Sequence, residues 1–242
     1  MKKLFSIRNY HFYLKKWKDK SSSYRYKHFY NLPKATYSPW MQDEEFKKTY
    51  DISKNNTLVD IYRCYELWSL IKQTNKLKGD ILEVGVYRGG TGSLLASAVS
   101  NEATIFLCDT FTGVVKAGVK DNQYIGGEHS DTSIETVKEL FNKLNLTNFS
   151  ILKGIFPDDS ASLIENKKFR FCHVDVDVYQ SAKDIFLWVW KRMEIGGVIV
   201  FDDYGFAACE GITDLVNTEL ACREDLIMFH NLNGHAVLIK IK

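Results

Sequence analysis

Short apolar runs alternate with segments of helical periodicity along most of this 242-residue chain, and this alternation constrains the fold more than any other feature. Five of the runs are predicted strands, at 80–86, 104–110, 149–154, 169–177 and 196–204. Helices are predicted at 58–73, 91–99, 132–144, 161–166, 180–193 and 211–222. Alternating strands and helices form a doubly wound, mostly parallel α/β sheet with its binding sites beyond the carboxyl ends of the strands.

The last part of the chain departs from this alternation. Residues 226–231 and 235–241 are apolar runs separated by the turn Leu232-Asn233-Gly234, which predicts an antiparallel hairpin. The predicted sheet is therefore seven-stranded and mostly parallel, with a C-terminal antiparallel hairpin. No repeat or low-complexity linker interrupts it, so we predict a single domain over 40–242.

A basic, aromatic arm is predicted over residues 1–39. Residues 1–34 contain ten Lys and Arg against one acid, Asp19, although the whole chain carries a net charge of only +2. Such an arm is suited to contact a partner subunit, cap a substrate, touch an anionic membrane or remain a solvated tail. We expect a homodimer or larger homo-oligomer. Because the rest of the chain is acidic, we expect no nucleic-acid binding.

The cysteines and the hydropathy pattern indicate the compartment. The five cysteines form no CxxC pair and fall mostly within apolar stretches, as reduced core thiols do. No stretch is long and apolar enough to span a bilayer. We therefore predict a cytoplasmic protein without a transmembrane segment.

A glycine-rich turn, EVGVYRGGT (83–91), follows the first predicted strand and opens the next helix. It differs from the G-x-G-x-x-G dinucleotide fingerprint. Gly85 and Gly89 let the backbone approach a ligand closely. The carboxylate of Glu83 suits a ligand with an amino group better than a pyrophosphate. The alternative interpretation is a plain tight turn.

Asp109 ends the second predicted strand, roughly 20 residues after the glycine turn. An acid at this point of a doubly wound sheet accepts hydrogen bonds from ribose hydroxyls. Alone, it could equally be a turn or N-cap residue. Together with the turn, it predicts a nucleoside site.

Four carboxylates lie at the ends of the fourth and fifth predicted strands, in the segments HVDVD (173–177) and DD (202–203). Acids crowded at one edge of a sheet repel one another unless a positive charge lies between them. A hard divalent cation with oxygen ligands satisfies this condition. We predict Asp175, Asp202 and Asp203 as the ligands, with Asp177 orienting the substrate or capping a helix. The alternative is a helix cap beside a solvated acidic turn.

The runs DILEVGVYRGGTG, CDTF, LKGIFPD, HVDVDVY and GGVIVFDDYG resemble those of the macrocin O-methyltransferase family, over roughly residues 36–242. The resemblance implies a Rossmann-like class I methyltransferase fold with S-adenosylmethionine as the methyl donor. It also implies Mg²⁺ held by Asp175, Asp202 and Asp203, and Asp175 as the catalytic base. The expected cofactor-binding residues follow the first three strands: Glu83, Gly85, Tyr87, Gly89, Thr91, Asp109, Thr110 and Gly154.

The acceptor is expected to be a hydroxyl of a sugar or glycan-containing molecule, of which a nucleotide sugar would give the basic arm a second use. Residues 113–130 form a long, glycine-punctuated loop typical of a lid, although a disordered surface loop has the same pattern. Candidate acceptor contacts are Glu128, His129, Asp177 and Tyr204. Two other functions remain open at this point: a nicotinamide oxidoreductase and a non-catalytic S-adenosylmethionine-binding partner protein.

Overall fold

The computed structural model describes residues 24–28, 35–99 and 103–242. Its strands are β1 Asp80–Val84, β2 Ile105–Asp109, β3 Phe149–Lys153, β4 Phe169–Val174, β5 Met193–Phe201, β6 Leu226–His230 and β7 Ala236–Lys240. They form one sheet in the order β3-β2-β1-β4-β5-β7-β6. The first five strands pair in parallel, and β7 pairs antiparallel with β5 and β6. The predicted seven-stranded, doubly wound sheet with a terminal hairpin is confirmed.

Helices cover both faces of this sheet. In the described ranges the α-helices are α1 Glu44–Ser53, α2 Ile61–Thr74, α3 Gly90–Ala98, α4 Ile134–Lys143, α5 Tyr179–Val189 and α6 Glu210–Leu215. Helix α6 continues as a π-helical turn over Val216–Leu220. Apolar side chains of α5 and α6 pack on one face of the sheet, and those of α1 to α4 pack on the other.

The core is built from fully buried aromatic and aliphatic side chains on each face. Phe169 and Phe186 are 0% and 2% exposed on the α5 face, and Phe46, Trp68 and Phe141 are 0–2% exposed on the opposite face. Each such side chain contributes about 1.5–3 kcal/mol when it leaves water. The order of strands reverses between β1 and β4, which opens a crevice at their carboxyl ends.

The strand ends differ from the prediction at the two acidic segments. Strand β4 ends at Val174 and β5 at Phe201, whereas the sequence pattern extended them to 177 and 204. Asp177 and Asp203 have φ angles of 63° and 62°, in the left-handed region, so the chain turns at each of them. The acids therefore lie on turns beyond the strands and not within the predicted strands 169–177 and 196–204.

Helix α1 was missed by the sequence analysis. Its N-cap residue, Asp43, accepts a hydrogen bond from the backbone N–H of Phe46 through Oδ1 (3.0 Å). The other oxygen, Oδ2, accepts one from the indole Nε1 of Trp68 (3.0 Å). The available signal was an N-cap acid followed by Glu44 and Glu45 in the first turn.

Residues 24–28, the described part of the predicted arm before residue 35, are held by two buried carboxylates of α6. Glu210 accepts hydrogen bonds from the backbone N–H groups of Arg25 (3.1 Å) and Tyr26 (2.8 Å), and its Oε1 lies 3.2 Å from His28 Nε2. Asp214 accepts one from the Tyr26 hydroxyl (3.1 Å) and pairs with the Arg25 guanidinium (2.9 Å). Residues 1–23 and 29–34 of the arm lie outside the described residues, and its boundary at residue 39 stays a prediction.

The same two carboxylates hold the 113–130 loop. Lys120 Nζ lies 2.8 Å from Asp214 Oδ2, and the side-chain amide of Asn122 donates to Glu210. Glu210 and Asp214 are each 1% exposed, so each charge is removed from water and is compensated by these donors. Helix α6 therefore fastens the segment 24–28 and the loop to one another.

The cysteines lie mostly in the core, as predicted from the apolar stretches that contain them. All five cysteines are free; four are buried and Cys222 is exposed. No helix in the ranges 24–28, 35–99 and 103–242 is long and apolar enough to cross a membrane.

We expect Glu210→Ala to release residues 24–28, because both backbone donors then lose their acceptor. Hydrogen exchange of the Arg25 and Tyr26 amides should accelerate by about tenfold, the equivalent of ~1.4 kcal/mol for the lost bonds. The measurement is hydrogen–deuterium exchange with peptide-resolved mass spectrometry. Glu139→Ala, at an exposed position of α4, is the matched control. Unchanged exchange in Glu210→Ala would contradict the anchoring role.

Candidate active site

A cavity of about 220 Å³ opens at the carboxyl ends of the parallel strands. Its walls come from the turns after β1, β2, β3, β4 and β5 and from the 113–130 loop. Most of the predicted site residues line it: Gly85, Tyr87, Thr91, Asp109, Thr110, His129, Gly154, Asp175, Asp177, Asp202 and Asp203. The topology therefore brings together residues that are up to 118 positions apart, from Gly85 to Asp203.

The glycine turn after β1 is shaped by close backbone contacts. Gly85 has a φ of 89°, and a Cβ atom at this position would lie 1.6 Å from the carbonyl oxygen of Asp175. Only glycine permits both the conformation and the approach. Tyr87, with a φ of 50°, and Gly89, the N-cap of α3 with a φ of 85°, continue the turn. The turn thus lies directly against the segment that carries Asp175.

Asp109 builds this turn as well as lining the cavity. Its Oδ2 accepts hydrogen bonds from the backbone N–H groups of Val86 (2.7 Å) and Tyr87 (2.9 Å). Its Oδ1 accepts one from Phe111 (2.6 Å). A ribose hydroxyl would therefore meet a carboxylate that is already fixed in orientation by three amides.

Glu83 and Gly89 do not line the cavity. Glu83 is fully buried, and its Oε1 lies 3.0 Å from Nδ1 of His173 on the neighbouring strand. A Cβ at Gly92 would lie 2.5 Å from Glu83 Oε2, so the carboxylate occupies the space that Gly92 leaves in α3. Because successive side chains of a strand face opposite sides, Glu83 points toward α3 and away from the strand end. The expected direct contact of Glu83 with the ligand is corrected accordingly; Gly89 packs on Val137 instead.

Glu128 and Tyr204 also lie elsewhere than expected. Glu128 accepts hydrogen bonds from the backbone N–H groups of Ile125 and Gly126, each at 2.9 Å, and so closes a turn of its own loop. Tyr204 is 6% exposed, and its hydroxyl donates to Asn217 Oδ1 at 2.7 Å. Neither side chain reaches the cavity, so these two acceptor contacts are corrected.

The 113–130 loop is ordered by hydrogen bonds to itself and to the body. The backbone N–H of Val114 donates to the Glu128 carbonyl (2.9 Å), and the Tyr124 hydroxyl donates to Asp177 Oδ1 (2.6 Å). Asp121 Oδ1 accepts from the backbone N–H of Tyr179, the first residue of α5. The loop therefore covers one side of the cavity, as expected for a lid, and places His129 in its wall.

Three carboxylates converge at the mouth of the cavity. One oxygen each of Asp175, Asp202 and Asp203 lies within 4.8 Å of the others. Burial and the negative charges of its two neighbours raise the pKa of Asp175 well above its usual range. Burial and the charges of Asp202 and Asp177 do the same to the pKa of Asp203. The raised pKa values indicate that the described residues supply too little positive charge to balance the three carboxylates.

Two cationic side chains that the sequence analysis missed contact Asp202. The guanidinium of Arg63 lies 2.6 Å from Asp202 Oδ1 and 3.7 Å from Asp203 Oδ1. Nε2 of His235 lies 3.0 Å from the same Oδ1 of Asp202. Burial alone would raise the pKa of Asp202, but His235 and Arg63 lower it below its usual value. Asp202 is thus the ionised member of the three, whereas Asp175 and Asp203 lack a comparable partner among the described residues.

A doubly wound sheet with an antiparallel seventh strand, a glycine turn after β1 and an acid at the end of β2 together define a class I methyltransferase. The solved structure of the O-methyltransferase NovP has the same fold, with a TM-score of 0.63 over 77% of this chain and 83% of that chain at 21% identity.

The sequence comparisons then specify the family. The profile of the Macrocin-O-methyltransferase (TylF) family matches residues 16–233. Mycinamicin III 3''-O-methyltransferase of Micromonospora griseorubida is 27% identical over 172 residues, 64% of this chain and 67% of that protein. The 8-demethyl-8-(2,3-dimethoxy-alpha-L-rhamnosyl)-tetracenomycin-C 4'-O-methyltransferase of Streptomyces olivaceus is 25% identical over 144 residues, 54% of this chain and 55% of that protein.

The chain belongs to the macrocin O-methyltransferase family and is an S-adenosylmethionine-dependent O-methyltransferase. This confirms the predicted family and enzyme class. It does not support the nicotinamide oxidoreductase or the non-catalytic partner protein.

In the metal-free protein, substitution of Asp203 and of Asp202 by asparagine should change the stability of the fold in opposite directions. Because the pKa of Asp203 is raised in the folded protein, its contribution to stability is lost as pH rises above the pKa of the unfolded chain, so at pH 7.5 an ionisable carboxyl at this position is less favourable to the fold than an amide. Asp203→Asn should therefore raise the unfolding midpoint by about 2–4 °C, or ~1 kcal/mol at this chain length. This gain should vanish at pH near 4, where Asp203 is protonated.

Asp202→Asn should instead cost about 3 kcal/mol, because it leaves Arg63 and His235 buried without their carboxylate. Both variants are compared by thermal unfolding in the presence of a chelator. Equal destabilisation by the two substitutions would contradict the charge assignment.

Proposed function

We propose that this enzyme transfers the methyl group of S-adenosylmethionine to a hydroxyl of a sugar-containing acceptor, with Mg²⁺ bound by Asp175, Asp202 and Asp203. The observation that carries the proposal is the convergence of these three carboxylates within 4.8 Å at the mouth of the cavity. We also propose a cytoplasmic location, supported by the free, mostly buried thiols. A homo-oligomer is supported by the exposed Ile227 and Phe229 on the edge strand β6.

The cofactor is assigned to the side of the cavity formed by the turns after β1, β2 and β3. The backbone there can approach a ligand because Gly85 and Gly154 have positive φ angles. Asp109 supplies a fixed carboxylate for the ribose hydroxyls, and Tyr87, Thr91 and Thr110 line the same wall.

The donor set fits a hard divalent cation. All three side chains offer carboxylate oxygens, which Mg²⁺ prefers, and Asp175 and Asp203 have raised pKa values that a positive charge would reverse. When bound, Mg²⁺ supplies positive charge that lowers the pKa of the acceptor hydroxyl, and S-adenosylmethionine supplies the methyl group.

Asp175 is the proposed base. With S-adenosylmethionine bound as the source of the methyl group, the Asp175 carboxylate would accept the proton that the acceptor hydroxyl loses. The turn at Gly85 contacts the backbone of Asp175, so the base and the cofactor wall are held at a fixed separation. Holding the base at a fixed distance from the cofactor wall lowers the entropic cost of bringing the reacting groups together.

The acceptor is assigned to the side of the cavity lined by His129 and Asp177. Arg63 is the one Lys or Arg among the described lining residues, and its charge is paired with Asp60, Asp202 and Asp203. The described lining residues thus offer no unpaired Lys or Arg to the phosphates of a nucleotide sugar, which supports a neutral sugar acceptor. A rhamnosyl-bearing acceptor in the name of one relative supports a sugar acceptor.

The function is tested by incubation of the protein with S-adenosylmethionine, Mg²⁺ and a panel of neutral glycosides and nucleotide sugars, with mass spectrometry of the products. We expect methylated product only with metal, and a fall in kcat of about 100-fold or more in Asp175→Asn. Glu139→Gln is the control and should retain full activity. Undiminished methylation in the presence of EDTA would contradict the metal, and no binding of S-adenosylhomocysteine by calorimetry would contradict the cofactor site.

Metal binding should tighten as pH rises from 6 to 8. Asp175 and Asp203 have raised pKa values, so their protons must leave before the cation binds, and fewer remain at higher pH. Calorimetric titration of Mg²⁺ in two buffers of different ionisation enthalpy measures both the affinity and the protons released. An affinity that is constant with pH, with no proton release, would be the contrary result.

A further inference from the structure

Asp202 contacts a histidine, His235, that has no role in the proposed reaction. His235, at the start of β7, is fully buried. Its Nε2 lies 3.0 Å from Asp202 Oδ1, and its Nδ1 lies 2.6 Å from Glu66 Oε2 on α2. The imidazole ring therefore bridges a carboxylate of α2 and a carboxylate of the turn after β5.

Glu66 is itself held in place by the β6–β7 turn. The side-chain amide of Asn233 donates to Glu66 Oε2 at 3.1 Å, and the amide of Asn231 donates to Oε1. Asn233 Oδ1 also accepts the backbone N–H of His235 at 3.1 Å. Nδ1 of His235 is thus hydrogen-bonded to Glu66, whereas Nε2 contacts Asp202 at 3.0 Å without the alignment of a hydrogen bond, and the two carboxylates together restrict the orientation of the ring.

Both cationic contacts of Asp202 fall on the same oxygen. Arg63 and His235 each contact Oδ1, at 2.6 Å and 3.0 Å. Among the described residues no ion pair falls on Oδ2, so this oxygen remains available to a ligand. A freely rotating carboxylate would instead offer either oxygen and lose the alignment with Asp175 and Asp203.

We propose that Glu66 and His235 are positioning residues that fix the Asp202 carboxylate so that a single oxygen, Oδ2, is presented to the divalent cation. The inference rests on the proposed function of Asp202 as a metal ligand. Neither residue touches the reacting atoms; they act through Asp202 alone. Outer partners of this kind typically change metal affinity by about 10–100-fold when they are removed.

The test measures Mn²⁺ binding by electron paramagnetic resonance, with the full chain and without cofactor or acceptor. We expect His235→Leu to weaken Mn²⁺ binding by about 10–100-fold and Glu66→Gln by about tenfold. His235→Gln keeps a donor toward Asp202 and should recover part of the loss. His230→Gln is the matched control, because His230 packs on Tyr204 and lies on the neighbouring strand β6. Calorimetry of S-adenosylhomocysteine should give an affinity within about twofold of the unmodified protein in every variant, which a merely structural role for His235 would not preserve.

Mn²⁺ affinities of His235→Leu and Glu66→Gln within twofold of the unmodified protein would overturn this inference and leave the proposed function intact. If His235→Leu fails to fold, Glu66→Gln and His235→Gln decide the question. An unmodified protein that binds no Mn²⁺ would overturn the metal part of the proposed function and this inference with it.

Discussion

The contact of two basic side chains, Arg63 and His235, with one buried carboxylate oxygen of Asp202 organises the site. Asp202 is 3% exposed, and a charge so buried is tolerated only with close partners. Those partners come from α2, which precedes the first strand in the sequence, and from His235, the residue before the last strand, β7. Helix α2 and the β6–β7 hairpin therefore meet at the end of β5. Removal of either element would deprive Asp202 of one of its two basic partners.

Asp175 and Asp203 lie beside this compensated charge; in the described part of the chain Asp175 forms no ion pair, and Asp203 has the longer contact of 3.7 Å with Arg63. Asp203 and the nearby Asp177 adopt left-handed backbone conformations, which cost free energy and are concentrated at functional sites. The close approach of Gly85 to the Asp175 carbonyl adds a further constraint on the same segment. The left-handed turns and the crowded carboxylates lower the stability of the fold. This cost is consistent with a site arranged to bind a cation.

Much of the fold follows from the sequence, because strands buried on both faces are continuous apolar runs and the polar residues after them mark the edge of the sheet. The glycine turn, Asp109 and the acids at 175, 202 and 203 were identified by this logic. Arg63 could not be, because it precedes Asp202 by 139 residues and only the topology brings the two together. Glu83 was misassigned because its direction depends on the space at Gly92 and on His173 across the sheet. The pattern HVDVD fits a strand or a turn equally well, so the end of β4 was not predictable from periodicity.

The account depends on a divalent cation bound where the three carboxylates converge. The most direct measurement is anomalous diffraction from crystals grown with Mn²⁺ and S-adenosylhomocysteine. The account predicts an anomalous peak bonded to Asp175, Asp202 and Asp203, beside a nucleoside on the Asp109 side of the cavity. Bound nucleoside with no peak at these three carboxylates, or a peak on other ligands, would contradict it.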